Sequence, residues 1–307
     1  MRQTPLPVFA SLLTTFFFAV SAMVGRRSTH HLGSQRANLA RQLVALGLLA
    51  LWAHTLGQGL HGPALGIMVV SGVIGFGFGD WALFEALPRI GPGLTILLCQ
   101  CLAAPIAAVT ERLWLGTILT GWQMASAAVI LVGVALAVTP GRDDSIPAGH
   151  RLAGILWALG AAAGQAWGAV VSRYAFQQSA AAGFSVDGIT AAYQRLWGGA
   201  LCIVALLLLR RLVASWFAHK STPIIPDWRG GWPWVVANAF AGPTIGVSCY
   251  QWALKTTSSA IVLQIVATTP LVVMILAFAF EGTRPTCRAI VGSLLAVAGV
   301  VTLVINS

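Results

Sequence analysis

Apolar runs long enough to cross a bilayer follow one another along almost the whole chain. Ten such runs, each of about 20 residues, are bounded by charges, prolines or glycine clusters. Only 8% of the 307 residues are charged, against about 25% in a globular domain. This excludes a secreted domain, a cytosolic enzyme and an outer-membrane barrel, and it predicts an all-α membrane protein with ten transmembrane helices. The runs cover 8–25, 39–57, 64–84, 91–110, 117–138, 152–173, 190–209, 233–254, 259–280 and 286–305.

Charge and cysteine placement indicate neither a nucleic-acid partner nor a cofactor. The net charge is +10, but the 18 basic residues are scattered between apolar runs, as is typical of loops that flank membrane spans. The five cysteines form no CxxC pair, so neither a disulfide framework nor a metal site is predicted. The first run is followed by Arg26 and Arg27 and is longer than a signal-peptide core, which favours a first span over a cleaved leader. We expect a multi-pass cell-membrane protein, with the bacterial inner membrane favoured, that is a monomer or a homodimer surrounded by lipid.

Two halves of the sequence repeat each other. A polar connector at 139–151 separates five runs within 1–138 from five runs within 152–307. In both halves a Gly-Thr pair precedes the last run, and a glycine follows that threonine 16 residues later, at Gly133 and Gly299. Because five spans per half is an odd number, the second half enters the membrane in the opposite sense to the first. The sequence therefore predicts two inverted five-helix repeats.

Motifs shared by the halves resemble those of the drug/metabolite transporter superfamily, specifically the EamA-like proteins with two five-helix repeats. The resemblance rests on the prolines of AAPIAAV and TTPLVVM, the stretch GFGDWALFEALPRIGP, the duplicated Gly-Thr turn, and an arginine that opens the second helix of each repeat, Arg41 and Arg195. It covers nearly the whole chain. It implies a transporter whose termini are both cytoplasmic.

The Gly-Thr turn departs from the family pattern in both halves. The family usually has a glutamate after the glycine, where this chain has Thr117 and Thr283, and Glu111 and Glu281 lie nearby but out of register. Threonine can cap a helix but cannot form an ion pair, so an ion-pair role is not expected at this position.

The distribution of basic residues also disagrees with the implied orientation. Thirteen lie on the face that holds the first loop and five on the face that holds the termini. The positive-inside rule then places the termini outside, and we give this count more weight than the family habit.

Asp80, in the third apolar run, is the only carboxylate of the sequence that lies well inside such a run. Because a charged group is costly in hydrocarbon, Asp80 is a candidate proton or cation site, or a group that orients a substrate amine. The alternative is a structural ion pair with Arg41 or Arg89.

A further set of amides and aromatic side chains could line a central cavity that binds a small organic solute. Alternatively, the glutamines bond helix to helix and the aromatic residues fill the core. Prolines inside the fourth and ninth runs are expected to kink those helices. The cavity candidates are Trp81, Gln100, Gln165, Trp167, Tyr250, Gln251, Trp252 and Gln264, and the expected kinks are at Pro105 and Pro270.

Together these features favour a secondary transporter, with export the favoured direction, of a small organic metabolite such as an amino acid or a drug-like solute. It would work by alternating access around a central cavity. The alternatives are a non-transporting membrane assembly protein and a membrane-embedded enzyme that acts on lipid. Such an enzyme needs a nucleophile with a base, or a metal cluster, and Asp80 alone supplies neither, so no catalytic residue is predicted.

Overall fold

A computed structural model describes residues 5–138, 148–217, 226–281 and 286–305, and the regular structure in these residues is helical. Two apolar helices of this part of the chain, Gly121–Ala137 and Cys287–Leu303, are shorter than a typical span. The helical structure, together with the apolar helices, confirms an all-helical membrane protein. The number of ten membrane crossings stays a prediction. Six further segments are long and apolar enough to cross a membrane: Leu6–Leu32, Leu65–Gly91, Gly93–Leu115, Gly149–Ala181, Gly188–Arg210 and Ser259–Phe280.

We number the helices in chain order, treat helical segments as one helix where they adjoin directly or are separated only by the two-residue turn at 267–268, and divide the chain at Gly91, where the backbone leaves the helical region. The first half contains α1 (Pro5–Leu32), α2 (Ser34–Thr55), α3 (Leu65–Gly91), α4 (Gly93–Leu115) and α5 (Gly121–Val138). The second half contains α6 (Ala148–Ala181), α7 (Gly188–Phe217), α8 (228–256), α9 (259–281) and α10 (Cys287–Ile305).

Helices α3 and α8 each contain a π-helical turn at the same place in their half. The turns are Val73–Gly79 in α3 and Phe240–Gly246 in α8, and each is seven residues long. An Ala-Leu pair begins 13 residues after the start of either turn, at Ala86 and at Ala253. Such turns interrupt the regular hydrogen bonding of a helix and occur often at functional sites.

The helix breaks correspond only in part to the prolines. Between α3 and α4 the backbone leaves the helical region at Gly91, whose φ of 74° favours glycine, whereas the angles stay helical through Pro105. Gly91 thus separates the third span from the fourth, and α4 is unbroken at Pro105, since neighbouring helices in a bundle let a membrane helix tolerate proline. A kink at Pro105 stays a prediction. In α9 the helix ends at Val266 and resumes at Thr269, so this break adjoins Pro270. Proline is tolerated there because the first turn of a helix needs no N–H donor.

Glycines allow the closest helix contacts. A Cβ atom added to Gly72 of α3 would lie 1.7 Å from the carbonyl oxygen of Arg195 in α7. A Cβ atom added to Gly292 of α10 would lie 2.4 Å from the backbone nitrogen of Ala137 in α5. The last helices of the two halves therefore pack with their backbones in near contact, as small residues allow in membranes.

Candidate functional site

A cavity of about 110 Å³ lies between helices of both halves. A buried water needs about 10–15 Å³ of such space, so the cavity can hold several waters or a small organic group. Helices α1 to α4 line it from the first half, and α6, α7 and α8 line it from the second. Its polar and charged lining residues are Ser21, Arg41, Asp80, Cys99, Gln100, Gln165, Arg195, Asn238 and Tyr250.

Asp80 follows the π turn of α3 and forms an ion pair with Arg41 of α2. Gln42 Nε2 donates to Asp80 Oδ2 at 3.4 Å, and Arg41 Nε donates to Asn38 Oδ1 at 3.2 Å. The guanidinium of Arg41 lies 4.7 Å from the centre of the Phe84 ring. The side chains of Arg41 and Asp80 are only 6% and 17% exposed, so this pair is held in a largely buried site. Of the two partners considered for Asp80, Arg41 is the one in contact.

Arg195 is buried but lacks an acidic partner in the described part of the structure. It is 4% exposed, its Nε atom has no hydrogen-bond partner, and it forms no ion pair among the residues that the structure describes. Its guanidinium lies 5.2 Å from the centre of the Phe76 ring, and a Cβ atom added to Gly75 would lie 2.7 Å from Nη2. The residue that follows the π turn in the second half, where Asp80 stands in the first, is Val247. An aliphatic side chain therefore occupies the place of a matching carboxylate.

Two more buried groups at the cavity have unused hydrogen-bonding atoms. The hydroxyl of Tyr250 has no partner within the described segments, although the residue is only 3% exposed. Asn238 Oδ1 accepts from the Ser21 hydroxyl at 2.7 Å, while its Nδ2 has no partner among the residues that are described. Both unused groups can donate a hydrogen bond.

An amide pair joins the two halves at the cavity wall. Gln165 Nε2 of α6 donates to Gln100 Oε1 of α4 at 2.6 Å, and the Cys99 thiol donates to Gln165 Oε1 at 3.3 Å. Four of the sequence candidates, namely Asp80, Gln100, Gln165 and Tyr250, thus line the same cavity.

The other sequence candidates lie elsewhere. Trp167 and Trp252 are 47% and 42% exposed on the outside of the bundle, because an apolar ring is accommodated by lipid as well as by a core. Trp167 lines an open apolar groove that carries no charged residue among those described. Trp81 is half-buried, and Gln251 and Gln264 are buried, but these three are not among the lining residues.

Sequence reasoning missed Ser21 and Asn238, and it took Arg195 only as part of a family motif. A signal for the first two existed, since each is a polar residue inside an apolar run. The unused Arg195 Nε could not be foreseen, because it depends on which residue of another helix faces the guanidinium.

A second polar cluster joins the two halves at the end of α4. Arg173 Nε of α6 lies 2.9 Å from Glu111 Oε1, and Thr117 donates to the same oxygen at 3.2 Å. Ser259 and the backbone N–H of Ala260, the latter at 3.2 Å, donate to Glu111 Oε2. Glu111 thus caps the first turn of α9 and forms an ion pair, despite its place out of register with the family motif. Thr283 and the side chain of Glu281 lie outside the described residues.

Charged groups outside the bundle centre have local structural roles. Arg89 pairs with Glu85 at 2.6 Å within α3. Asp227 caps α8 by accepting from the Gly230 backbone N–H at 3.0 Å, and His31 Nδ1 lies 2.9 Å from its other oxygen. These contacts, the Gly230 hydrogen bond first, lower the pKa of Asp227 below its ordinary value. No group of three or more histidine, cysteine or acidic residues in the described segments is placed to hold a metal ion.

Comparison with known proteins adds a family and a fold. The model of the EamA-like transporter family matches the chain twice, over residues 5–139 and 152–305. A solved structure that is described only as the crystal structure of a protein superposes with a TM-score of 0.71 at 18% sequence identity. The alignment covers 97% of this chain and 96% of that chain, and at this identity it shows a shared fold alone. No curated protein matches the sequence.

Proposed function

Since the chain belongs to the EamA-like transporter family, we propose that it is a secondary transporter of a small organic metabolite that works by alternating access around the cavity between its two halves. The charged lining of the cavity, with Arg41, Asp80 and Arg195, carries the proposal. Ionisable side chains are costly inside a membrane and are retained where they serve a binding site or a path. A protein that only assembled with others would gain no evident benefit from such a cavity.

The proposal includes ten membrane-crossing helices, arranged as two inverted repeats over 1–138 and 152–307 and joined by 139–151. Support comes from the paired π turns, from Arg41 and Arg195 at matching places, and from the two separate family matches. In transporters built this way the solute binds where the repeats meet, which is where the cavity lies.

The proposed transport cycle requires a group that couples transport to an ion and contacts that close one side of the cavity. Asp80 is the carboxylate in the cavity and is the proposed proton-coupling group. The Glu111 cluster joins α4 and α6 to the start of α9, near the face that holds the termini. We propose that these contacts hold the helices together when the cavity is closed on that side of the membrane. An enzyme is disfavoured because the cavity thiol, Cys99, bonds to an amide rather than to a base. Export, a monomeric or dimeric state and a cell-membrane location belong to the same proposal.

Cysteine labelling tests alternating access without knowledge of the substrate. Leu83, a half-buried lining residue, is replaced by cysteine in a variant whose five native cysteines are alanine. The protein is reconstituted in one orientation, and a membrane-impermeant maleimide is applied from one side at a time. Alternating access predicts labelling of Leu83→Cys from both sides.

A matched control keeps exposed Cys287, at the start of α10, as the only cysteine. It should be labelled from one side alone. Labelling of Leu83→Cys from one side only, like the control, would contradict alternating access.

A further inference from the structure

We propose that the transported solute is a small organic monoanion, such as a carboxylate, and that Arg195 binds its negative group. This inference rests on the proposed transport function and deepens it by naming the class of substrate. It follows from three properties of the cavity: its charge, its unused donors and its apolar wall.

The charge of the cavity is unbalanced. Two arginines and one aspartate line it, and Asp80 interacts electrostatically with both Arg41 and Arg195. The contact is made with Arg41, however, and Arg195 has no acidic partner among the described residues. A buried cation without a counter-charge is unfavourable, so the cavity is one negative charge short. A monoanionic solute would supply that charge.

Unused hydrogen-bonding groups at the cavity are those that an anion needs. Arg195 Nε, the Tyr250 hydroxyl and Asn238 Nδ2 belong to lining residues and lack partners in the described part of the chain, and each residue is more than nine-tenths buried. Buried polar groups are nearly always hydrogen-bonded, so three unused donors at one cavity need an explanation. An ionised carboxylate has two oxygens that only accept, which suits donors, whereas an ammonium group has only donors to offer.

The rest of the wall indicates that the anion is organic. Phe18, Phe76, Leu83, Phe84 and Ile96 line the same cavity. Hydrated inorganic anions gain nothing from this surface, whereas the carbon skeleton of an organic acid is desolvated against it. We therefore place the carboxylate at Arg195 and the apolar part of the solute against the aromatic side chains.

The test uses three thiol reagents that share one reactive group and differ in charge. They are the anionic sulfonatoethyl, the cationic trimethylammonioethyl and the neutral methyl methanethiosulfonates. Each reacts with the Leu83→Cys reporter in purified protein, and each rate is divided by the rate at Cys287 in the control variant. We expect the anionic reagent to react about tenfold faster than the cationic one, as a charge-assisted contact with Arg195 would give.

Substitutions of arginine test whether Arg195 causes the faster reaction of the anionic reagent. Arg195→Gln should remove it and Arg195→Lys should keep most of it. Arg112→Gln, which deletes the same charge at an exposed position on α4, should leave it unchanged. Equal rates for the two charged reagents, a cationic preference, or a preference that survives Arg195→Gln would overturn the anion proposal.

The neutral reagent separates the two proposals. Reaction of methyl methanethiosulfonate with Leu83→Cys, without an anionic preference, would overturn only the inference about the substrate. Failure of this small neutral reagent to react at all would show that the cavity is closed to solutes, and both proposals would then be wrong.

Discussion

Arg41 and Arg195 are the eighth residues of α2 and α7, yet Arg41 forms an ion pair with Asp80 while Arg195 has no acidic partner among the described residues. The asymmetry arises because Asp80 follows the π turn of α3 while Val247 follows that of α8. One arginine of the matched pair is thus compensated within the protein, and the other is available to a ligand.

Removal of the carboxylate of Asp80 should destabilise the protein through Arg41. Asp80→Ala leaves a buried guanidinium without its counter-charge, which costs about 3–5 kcal/mol. The double variant Asp80→Leu with Arg41→Met removes both charges, and its loss of stability should be smaller than the sum of the losses in Asp80→Leu alone and Arg41→Met alone. Unfolding free energies in detergent measure this difference.

Arg89→Gln provides the comparison for that experiment. It breaks a pair with Glu85 whose arginine side chain is 31% exposed, so a loss of at most about 1 kcal/mol is expected. Asp80→Ala with wild-type stability would show that the Arg41 contact carries no energetic weight.

The repeat, the central arginines and part of the cavity were predictable because each depends on a pattern along the chain. Gln100 and Gln165 stand out as amides in apolar runs, and they meet in the structure at 2.6 Å. The outward placement of Trp167 and Trp252 was not predictable, since lipid and core are both apolar and leave no hydropathy contrast between helix faces.

Backbone irregularities were also beyond the sequence. The sequence places the boundary between the third and fourth runs at 84–91, whereas the backbone leaves the helical region only at the end of this range, at Gly91. Gly79 in the π turn of α3 lies against the backbone of Gly164, and Gly242 in the π turn of α8 lies against the side chain of Ser21. Such turns depend on tertiary contact, which hydrophobic periodicity does not encode.

Glu111→Gln should loosen the connection between the halves at the end of α4. The amide can still accept from Ser259 but loses the ion pair with Arg173, so a loss of about 3 kcal/mol is expected for this buried site. Hydrogen exchange of the amides in 259–266 should accelerate. Thr117→Val removes one hydrogen bond to the same carboxylate and should cost about 1–2 kcal/mol.

Hydrogen exchange of the backbone amides in α5 and α10 provides the internal reference for the Glu111→Gln variant. These helices pack closely on each other through Gly133 and Gly292, and their amides should keep wild-type rates. Unchanged exchange in 259–266 would show that Glu111 does not stabilise the start of α9.

Alanine in place of glycine should have opposite effects at two helix positions. In Gly292→Ala the new Cβ would lie 2.4 Å from the Ala137 nitrogen, so α5 and α10 must separate and a loss of about 1–3 kcal/mol is expected. In Gly47→Ala no atom of the described residues lies within 4 Å of the new Cβ, and helix propensity favours alanine by up to about 1 kcal/mol. Thermal unfolding of both variants in one detergent gives the comparison, and destabilisation of equal size would contradict the close contact.

Acid should weaken the first turn of α8 through Asp227. Because contacts in the folded state lower the pKa of Asp227 below 3.8, its contribution to stability is fully present above that pH and is lost as pH falls through the folded pKa. The protection factors of the amides in 228–231, corrected for intrinsic exchange, should therefore decrease when the pH is lowered below 3.8. Asp227→Asn keeps a cap that does not titrate, so its protection should stay level over the same range. An identical acid response in this variant would assign the effect to another group.

The distribution of basic residues predicts the orientation of the chain. Arg41 is one of the thirteen basic residues on the face that holds the first loop, and Arg195 is one of the five on the face that holds the termini. Both line the buried cavity, and without them twelve basic residues stand against four, so the excess on the first-loop face is unchanged. Exposed basic residues such as Arg26 remain on that face, which the positive-inside rule places in the cytoplasm with the termini outside. Alkaline phosphatase fused after Ser307 should then be active, and a fluorescent protein that folds only in the cytoplasm should be dark. The reverse pattern would show that the family orientation prevails over the charge distribution, in which case the Glu111 cluster would lie on the cytoplasmic side of the cavity.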